Sequence, residues 1–252
     1  MGVQQFDKYE RHGPYHWNKV FGPWSRVSPR LRGLYIAALG AVKRELRLRG
    51  ARGLDIGCGE GVMLRLAAEQ GAAMTGLDGM AAALAMARKL CASAGHNPAL
   101  VRGDAQQLPF RDGAFDFVTC LEVIEHLERP ESMLKEVRRV LRPGGVVVLS
   151  TPVADGPLKD PFHVKEFTPE ELREAIAQAG LEMVNLLGLH PRWLDRLYFR
   201  ATGWRTADKV VRAGIKATTA LGCNPYTWTP KQPNSSGILA LCTVTFTPQA
   251  RK

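Results

Sequence analysis

The sequence predicts an α/β fold, a doubly wound and mostly parallel seven-stranded sheet. Three observations predict it. Short apolar runs alternate with helix-period segments over residues 53–189, the pattern of strands covered on both faces. A glycine-rich turn, Gly57-Cys58-Gly59-Glu60-Gly61, joins the first run to the first of these helices. Acidic residues stand at or near the ends of the first three runs, at Asp55, Asp78 and Asp104.

The chain of 252 residues can bury a full core as one domain. Its 45% apolar and 23% charged content is ordinary for a globular protein. The five cysteines are scattered and odd in number, with no C-x-x-C pair, so neither a disulfide framework nor a zinc knuckle is indicated. A reducing, cytoplasmic setting is expected. The first residues carry no apolar targeting segment, and no run of 18 apolar residues is present. Charge divides unevenly. Residues 1–50 hold ten Lys/Arg and three Asp/Glu, residues 51–189 hold fourteen and nineteen, and residues 190–250 hold eight and two. A mildly acidic body therefore lies between two basic flanks. Solubility accounts for such flanks; an anionic partner, whether phosphorylated substrate, lipid surface or RNA, is the more specific reading.

In chain order, residues 1–50 form a helical cap. Ser28-Pro29 starts a helix as N-cap and first position, and Leu31, Leu34, Tyr35, Ala38, Leu39 and Val42 follow at helical spacing. Tyr15, His16 and Trp17 before it are packing residues or part of a lid. The core spans 51–189. Leu54 and Ile56 mark its first strand and Val62–Ala68 its first helix. Residues 72–77 form the second strand, 80–94 a helix, 99–102 the third strand and 114–121 the fourth. A helix over 130–141 leads through the turn Arg142-Pro143-Gly144-Gly145 to a fifth strand, 146–150. Thr168 and Glu171 form a capping box for a helix ending at Gly180. A sixth strand covers 181–189. An insertion, 190–235, precedes the last strand and tail, 236–252, in which Ile238, Ala240, Cys242, Val244 and Phe246 share a face.

The glycine spacing G-x-G-x-G differs from the G-x-G-x-x-G of dinucleotide sites, and the acid at Asp55 would repel a pyrophosphate but suits an ammonium. Asp78 lies 23 residues beyond Asp55, where a strand-end acid can chelate ribose hydroxyls. Asp104 can accept from an adenine amino group, with the Ala105 N–H beside it. Together these point to an adenosyl ligand carrying an ammonium.

Asp55, Gly57, Gly59, Gly61, Asp78, Asp104, the segment Phe115-Asp116-Phe117-Val118 and the turn Leu141-Arg142-Pro143-Gly144-Gly145 make the chain resemble class I S-adenosylmethionine (SAM) methyltransferases from residue 53 to about 167. The resemblance implies SAM as cofactor, an antiparallel last strand, and Ala105, Leu121 and Glu122 beside the cofactor. Two elements, the N-terminal cap and the insertion, would recognise the substrate. Ser28-Pro29-Arg30-Leu31-Arg32-Gly33-Leu34-Tyr35-Ile36 is similar to the pre-core segment of quinone-biosynthesis O-methyltransferases, which would bring Arg30 or Arg32 to the SAM carboxylate.

After the fourth strand, Glu122, Glu125 and His126 follow at helical spacing, and His163 comes later. Two carboxylates and two imidazoles suit a divalent ion such as Mg, Mn or Zn. This set is similar to that of quinone O-methyltransferases and of small-RNA 2′-O-methyltransferases, though E-x-x-E-H-L also occurs in metal-free relatives. Otherwise Glu122 contacts the cofactor and His126 or His163 serves as general base. The insertion places basic residues at 192, 196, 200, 205, 209, 212 and 216, with Trp193, Leu197, Trp204, Val210, Val211 and Ile215 on another face. That pattern is a lid helix with a solvated face, or one that meets phosphate or an anionic membrane. The expectation is O-methylation of a small or lipid-linked, anionic acceptor, with peripheral membrane contact. An RNA 2′-O-methyltransferase is the alternative, against which no RNA-binding module is recognisable. A non-catalytic SAM-binding scaffold is a third reading.

Overall fold

The computed structural model describes residues 12–23, 26–154, 158, 160–194, 210, 213–215, 217–218 and 235–244. Its elements are α1 (Tyr15–Phe21), α2 (Pro29–Glu45), β1 (Arg52–Ile56), α3 (Val62–Ala68), β2 (Ala73–Asp78), α4 (Ala81–Ser93), β3 (Ala99–Arg102), β4 (Phe115–Leu121), a 3₁₀ turn (Ile124–His126), α5 (Pro130–Val140), β5 (Leu141–Pro152), α6 (Pro169–Gln178), β6 (Glu182–Pro191) and β7 (Ser235–Thr243).

The seven strands form one sheet in the order β3-β2-β1-β4-β5-β7-β6. β1 through β5 pair in parallel, and β7 runs antiparallel to both β5 and β6. The strand order reverses at β1, which places a crevice outside the carboxyl ends of β1 and β4. Alternate residues of the inner strands enter two cores. Val147, Leu149, Ile238, Ala240 and Cys242 face α5 and α6. Val146, Val148, Leu239 and Leu241 face the side covered by α1, α2 and α3. Both faces are dry, which is why these strands are apolar throughout.

The expected caps are present. Ser28 Oγ accepts from Leu31 N at 3.3 Å, and Thr168 and Glu171 bond reciprocally. Several boundaries differ from the sequence reading. α5 stops at Val140 because Leu141 already pairs with Phe115. Arg142–Gly145 then form a bulge within β5 before Val146 pairs with Phe117, so the turn expected there belongs to the strand. β6 continues to Pro191, and β7 ends at Thr243. The remainder of the seventh strand as expected, 245–247, lies outside the described residues, as do most of the insertion's basic positions, including Arg196, Arg200 and Lys209. Cys58, Cys91, Cys120 and Cys242 are buried free thiols. Among the described residues no helix is long and apolar enough to cross a membrane.

Candidate active site

The carboxyl ends of the strands open into one cavity of about 1530 Å³. Its wall includes Gly57, Gly59, Asp78, Asp104, Ala105, Leu121, Glu122, Glu125, His126 and His163, so most of the sequence-predicted residues are brought together. Gly57, Gly59, Asp78 and Asp104 come from the ends of β1, β2 and β3, and the His/Glu groups come from the β4 end and a strap over 160–166.

The glycine turn is fastened from below. Gly57 and Cys58 donate their N–H groups to Leu77 O at 2.8 and 3.0 Å. Gly57 has φ +66°, and a Cβ there would meet Val123 Cγ2 at 2.3 Å. Only glycine satisfies both constraints. Asp78 is buried and its oxygens are already oriented. Oδ2 accepts from Gly59 N at 2.9 Å and Oδ1 from Met80 N at 2.8 Å. Each oxygen keeps a lone pair for a ligand hydroxyl. Burial pushes its pKa up while these two N–H groups pull it down. Asp104 is exposed, with Oδ1 accepting from Gln106 N at 2.8 Å. Arg139 holds the loop beyond it through the carbonyls of Leu108 and Phe110 and the carboxylates of Asp112 and Glu136.

Two predicted contacts are not on the cavity wall. Gly61 opens α3 in the left-handed region and abuts α4, where a Cβ would meet Cys91 Sγ at 2.9 Å, so its role here is packing. Asp55 is buried and accepts from Thr119 Oγ1 at 2.6 Å, off the cavity wall. A side chain in a parallel strand points to one face of the sheet, not off its end, which spacing alone does not reveal.

Burial raises the Asp55 pKa to about 7, opposed by the Thr119 hydroxyl and helped by Asp78. The unfolded value is about 3.9. The folded state therefore holds the proton more tightly, and ionised Asp55 costs the fold its full penalty above pH 7. That penalty disappears as pH falls from about 7 toward about 4. Asp55→Asn keeps an acceptor for Thr119. It should stabilise the ligand-free protein at pH 8 by on the order of a few kcal/mol, and the gain should shrink to nothing near pH 4. Thermal melts across this range check it, and a pH-independent difference would refute it.

The cluster after β4 is built differently from the helical spacing expected. Glu122 has φ +55°, a strained conformation for a non-glycine residue, and the chain bends there before the short turn Ile124–His126. The Glu122-to-His126 helical spacing therefore does not apply. Glu122 N donates to Ser150 O at 3.1 Å, and Ser150 Oγ donates to Glu122 Oε1 at 2.8 Å. The ligand-capable atoms that converge, all within 4.8 Å, are those of Glu125, His126 and His163. Glu122 is a separate cavity-wall residue.

His126 Nδ1 lies 2.9 Å from Phe162 O, so Nδ1 carries the proton and Nε2 the lone pair. His163 Nδ1 lies 2.7 Å from Glu166 Oε1, a carboxylate–histidine pair of the kind that orients metal-binding imidazoles. The strap is docked because Val164 N and Lys165 N donate to Glu125 O at 2.7 and 3.1 Å. Glu125 is 1% exposed, and among the described residues neither carboxylate oxygen makes a hydrogen bond of good geometry, although the Thr151 hydroxyl, itself unpaired, lies near enough to draw the Glu125 pKa down. Burial, then the charge of Glu122, pushes its pKa far up. A buried carboxylate with both oxygens unsatisfied and two tautomer-fixed imidazoles beside it fits a divalent cation.

Four further residues line the wall: Tyr15, expected as packing or lid, Arg30, expected as one of two candidates for the SAM carboxylate, and Tyr35 and His190, for which the sequence reading gave no site role. Tyr15 from α1 and Tyr35 from α2 reach the cavity, and burial pushes the Tyr15 phenol up to about 12. Arg30 reaches the cavity, whereas Arg32 does not line it. Arg30's charge acts on Glu122 and on His190. His190, at the end of β6, has φ +56°, is 3% exposed, and is held neutral chiefly by burial. Its place at a strand end was the only sequence signal for it. Glu60, between the glycines, also lines the cavity.

Comparison with known proteins matches residues 54–149 to a family described as a methyltransferase domain. A relative from Pseudomonas aeruginosa, named ubiquinone biosynthesis O-methyltransferase, is 34% identical over 173 residues, which is 60% of this chain and 73% of that protein. A relative of the same name from Cronobacter sakazakii is 30% identical over 81% of this chain and 89% of its own length. Among solved structures, phosphoethanolamine N-methyltransferase 2 of Haemonchus contortus, in complex with S-adenosyl-L-methionine, superposes with a TM-score of 0.65 at 21% identity. That match covers 97% of this chain and 61% of the other.

Proposed function

This chain belongs to the class I S-adenosylmethionine-dependent methyltransferases, and on that premise we propose that it methylates a hydroxyl oxygen of a small or lipid-linked acceptor with the help of a divalent metal. The observation that carries the reading is the unsatisfied carboxylate of Glu125 facing His126 and His163 in the same cavity as Asp78 and Asp104. The relatives named O-methyltransferases support oxygen as the acceptor atom.

Glu125, His126 and His163 would hold the metal, with Phe162 O and Glu166 orienting the two imidazoles. Bound there, a divalent ion lowers the pKa of a ligated hydroxyl and fixes its position. Two nitrogens and one carboxylate suit Zn or Mn better than Mg. Asp78 would orient the ribose and Asp104 the adenine, with the Gly57 turn close against the methionyl part. The methyl donor carries its own leaving group, so the chain's task is to align two reactants and exclude water. The basic positions from 192 to 216 support an anionic or lipid-linked acceptor.

The test is methyl-labelled SAM offered with hydroxylated aromatic acceptors, with and without a prenyl tail. The expected product carries label on oxygen and is lost on chelation. Label on nitrogen or carbon, or no transfer to any acceptor, would overturn the reading. Co-sedimentation with anionic vesicles checks the lipid-linked form, and its absence would restrict the acceptor to free small molecules.

A further inference from the structure

Glu60 is the one charged residue inside the glycine turn; it lines the cavity, and its carboxylate turns to α1. It is 1% exposed. Oε1 accepts from His16 N at 3.2 Å and Oε2 from Trp17 N at 2.7 Å. These are first-turn amides of α1. The helix begins its own bonding only with Asn18 N to Pro14 O, and its N-cap, Pro14, supplies no side-chain acceptor. The cap of α1 therefore comes from the cofactor turn, forty-three residues away from Trp17. A carboxylate at that end also meets the favourable end of the helix dipole.

α1 depends on such support. It has seven residues, too short to persist as an isolated helix in water. Besides the buried Trp17 and Val20, a further anchor is Arg65 of α3, whose guanidinium lies 4.0 Å from the Phe21 ring centroid and 5.2 Å from that of Trp17. Tyr15, His16 and Lys19 of α1 line the cavity. The turn is tied in the opposite direction as well, because Gly59 N, one residue before Glu60, donates to Asp78 Oδ2 at 2.9 Å. A continuous path thus runs from the strand-end acid through Gly59 and Glu60 to the helix over the cavity.

We propose that Glu60 is a positioning residue that couples cofactor occupancy to closure of α1, so that the cofactor loads first and the acceptor site is completed afterwards. This rests on the reading that the adenosyl ligand binds Asp78. Ligand hydroxyls on Asp78 hold its carboxylate still and with it the Gly59 contact. Glu60 is then fixed, and the marginal helix gains its cap. Closed α1 sets Tyr15 against the charges of Glu60 and of Asp160, which lies on the strap that carries His163. The cofactor half of the cavity thereby influences the half where the acceptor would sit.

Amide hydrogen exchange with S-adenosylhomocysteine as the probe tests this, alongside calorimetry of its binding. In the wild type, saturation should slow exchange at His16 and Trp17 at least tenfold. Glu60→Ala should still bind the probe within a few-fold yet lose that slowing, and Glu60→Gln, which keeps one acceptor, should retain part of it. Arg65→Ala leaves the turn intact and should keep the probe-dependent slowing on a generally faster background. Probe binding without slowing in the wild type, or equal slowing in Glu60→Ala, overturns the coupling while leaving the cofactor site in place. Absence of probe binding in the wild type overturns the cofactor assignment and the coupling with it. Should Glu60→Ala not fold, the contrast between Glu60→Gln and Arg65→Ala decides: equal slowing in both at the wild-type level overturns the proposal.

Discussion

Glu125→Gln is expected to remove bound divalent metal and to lower turnover by on the order of 10³-fold, the several kcal/mol that a metal contributes to charge stabilisation. The substitution keeps the size and shape of the side chain and deletes only its charge. In the present fold that charge has no hydrogen bond of good geometry among the described residues, the nearby Thr151 hydroxyl favours it weakly, and burial together with Glu122 opposes its ionisation. A cation is what such a carboxylate lacks. His126→Ala and His163→Ala should act in the same direction. Glu166→Ala, which only orients His163 at 2.7 Å, should cost about 10–100-fold in metal affinity or activity. Glu122→Ala should keep its metal, because its carboxylate is bonded to Ser150 outside the convergent group. Elemental analysis of each variant and add-back of Mg, Mn or Zn after chelation measure all of this. Full activity of the exhaustively chelated, metal-free wild type would return Glu125, His126 and His163 to acid–base or packing roles.

Asp78→Ala is expected to weaken SAM binding by about 1–3 kcal/mol, roughly 5–150-fold, the cost of leaving hydrogen-bonding groups without their charged partner. The effect should approach the upper end, because the same carboxylate fastens Gly59 N and Met80 N. Its removal loosens the turn as well as the ligand contact. Asp78→Asn keeps one acceptor oxygen and replaces the other with a donor that faces an N–H group, so it should rescue little. Calorimetric titration of a folded Asp78→Ala protein showing wild-type affinity would reject the assignment. Asp104→Ala should have a smaller effect, since that carboxylate is exposed and already engaged by Gln106.

Much of this was legible in the residues, for reasons that are local. Apolar runs of strand length separated by helix-period segments require a covered parallel sheet, and Ser28, Thr168 and Glu171 mark helix starts because their side chains satisfy amides a few residues away. The glycine turn and the acids at Asp78 and Asp104 could be placed at one edge because parallel strands all end on the same side. Where the reading departed from the structure, the cause was a nonlocal contact. Arg142–Gly145 look like a turn but are drawn into β5 by the pairing of Leu141 with Phe115. Asp55 looks like a ligand contact, yet the pleat turns it toward Thr119 of the neighbouring strand.

What the sequence by itself determined is therefore the sheet, its helices, the cofactor edge and the chemical types gathered there, since periodicity, caps and strand polarity act over a few residues. Only the tertiary structure decided which of those groups meet. With Glu122 at φ +55° the chain leaves that residue outside the convergent group and brings Glu125 and His126 to His163, thirty-seven residues beyond His126, and the same folding brings His190 in from the end of β6. It also turned the Glu60 carboxylate to the first amides of α1. Side-chain direction at a reversed or strained residue depends on what packs against it, and that information belongs to distant segments of the chain.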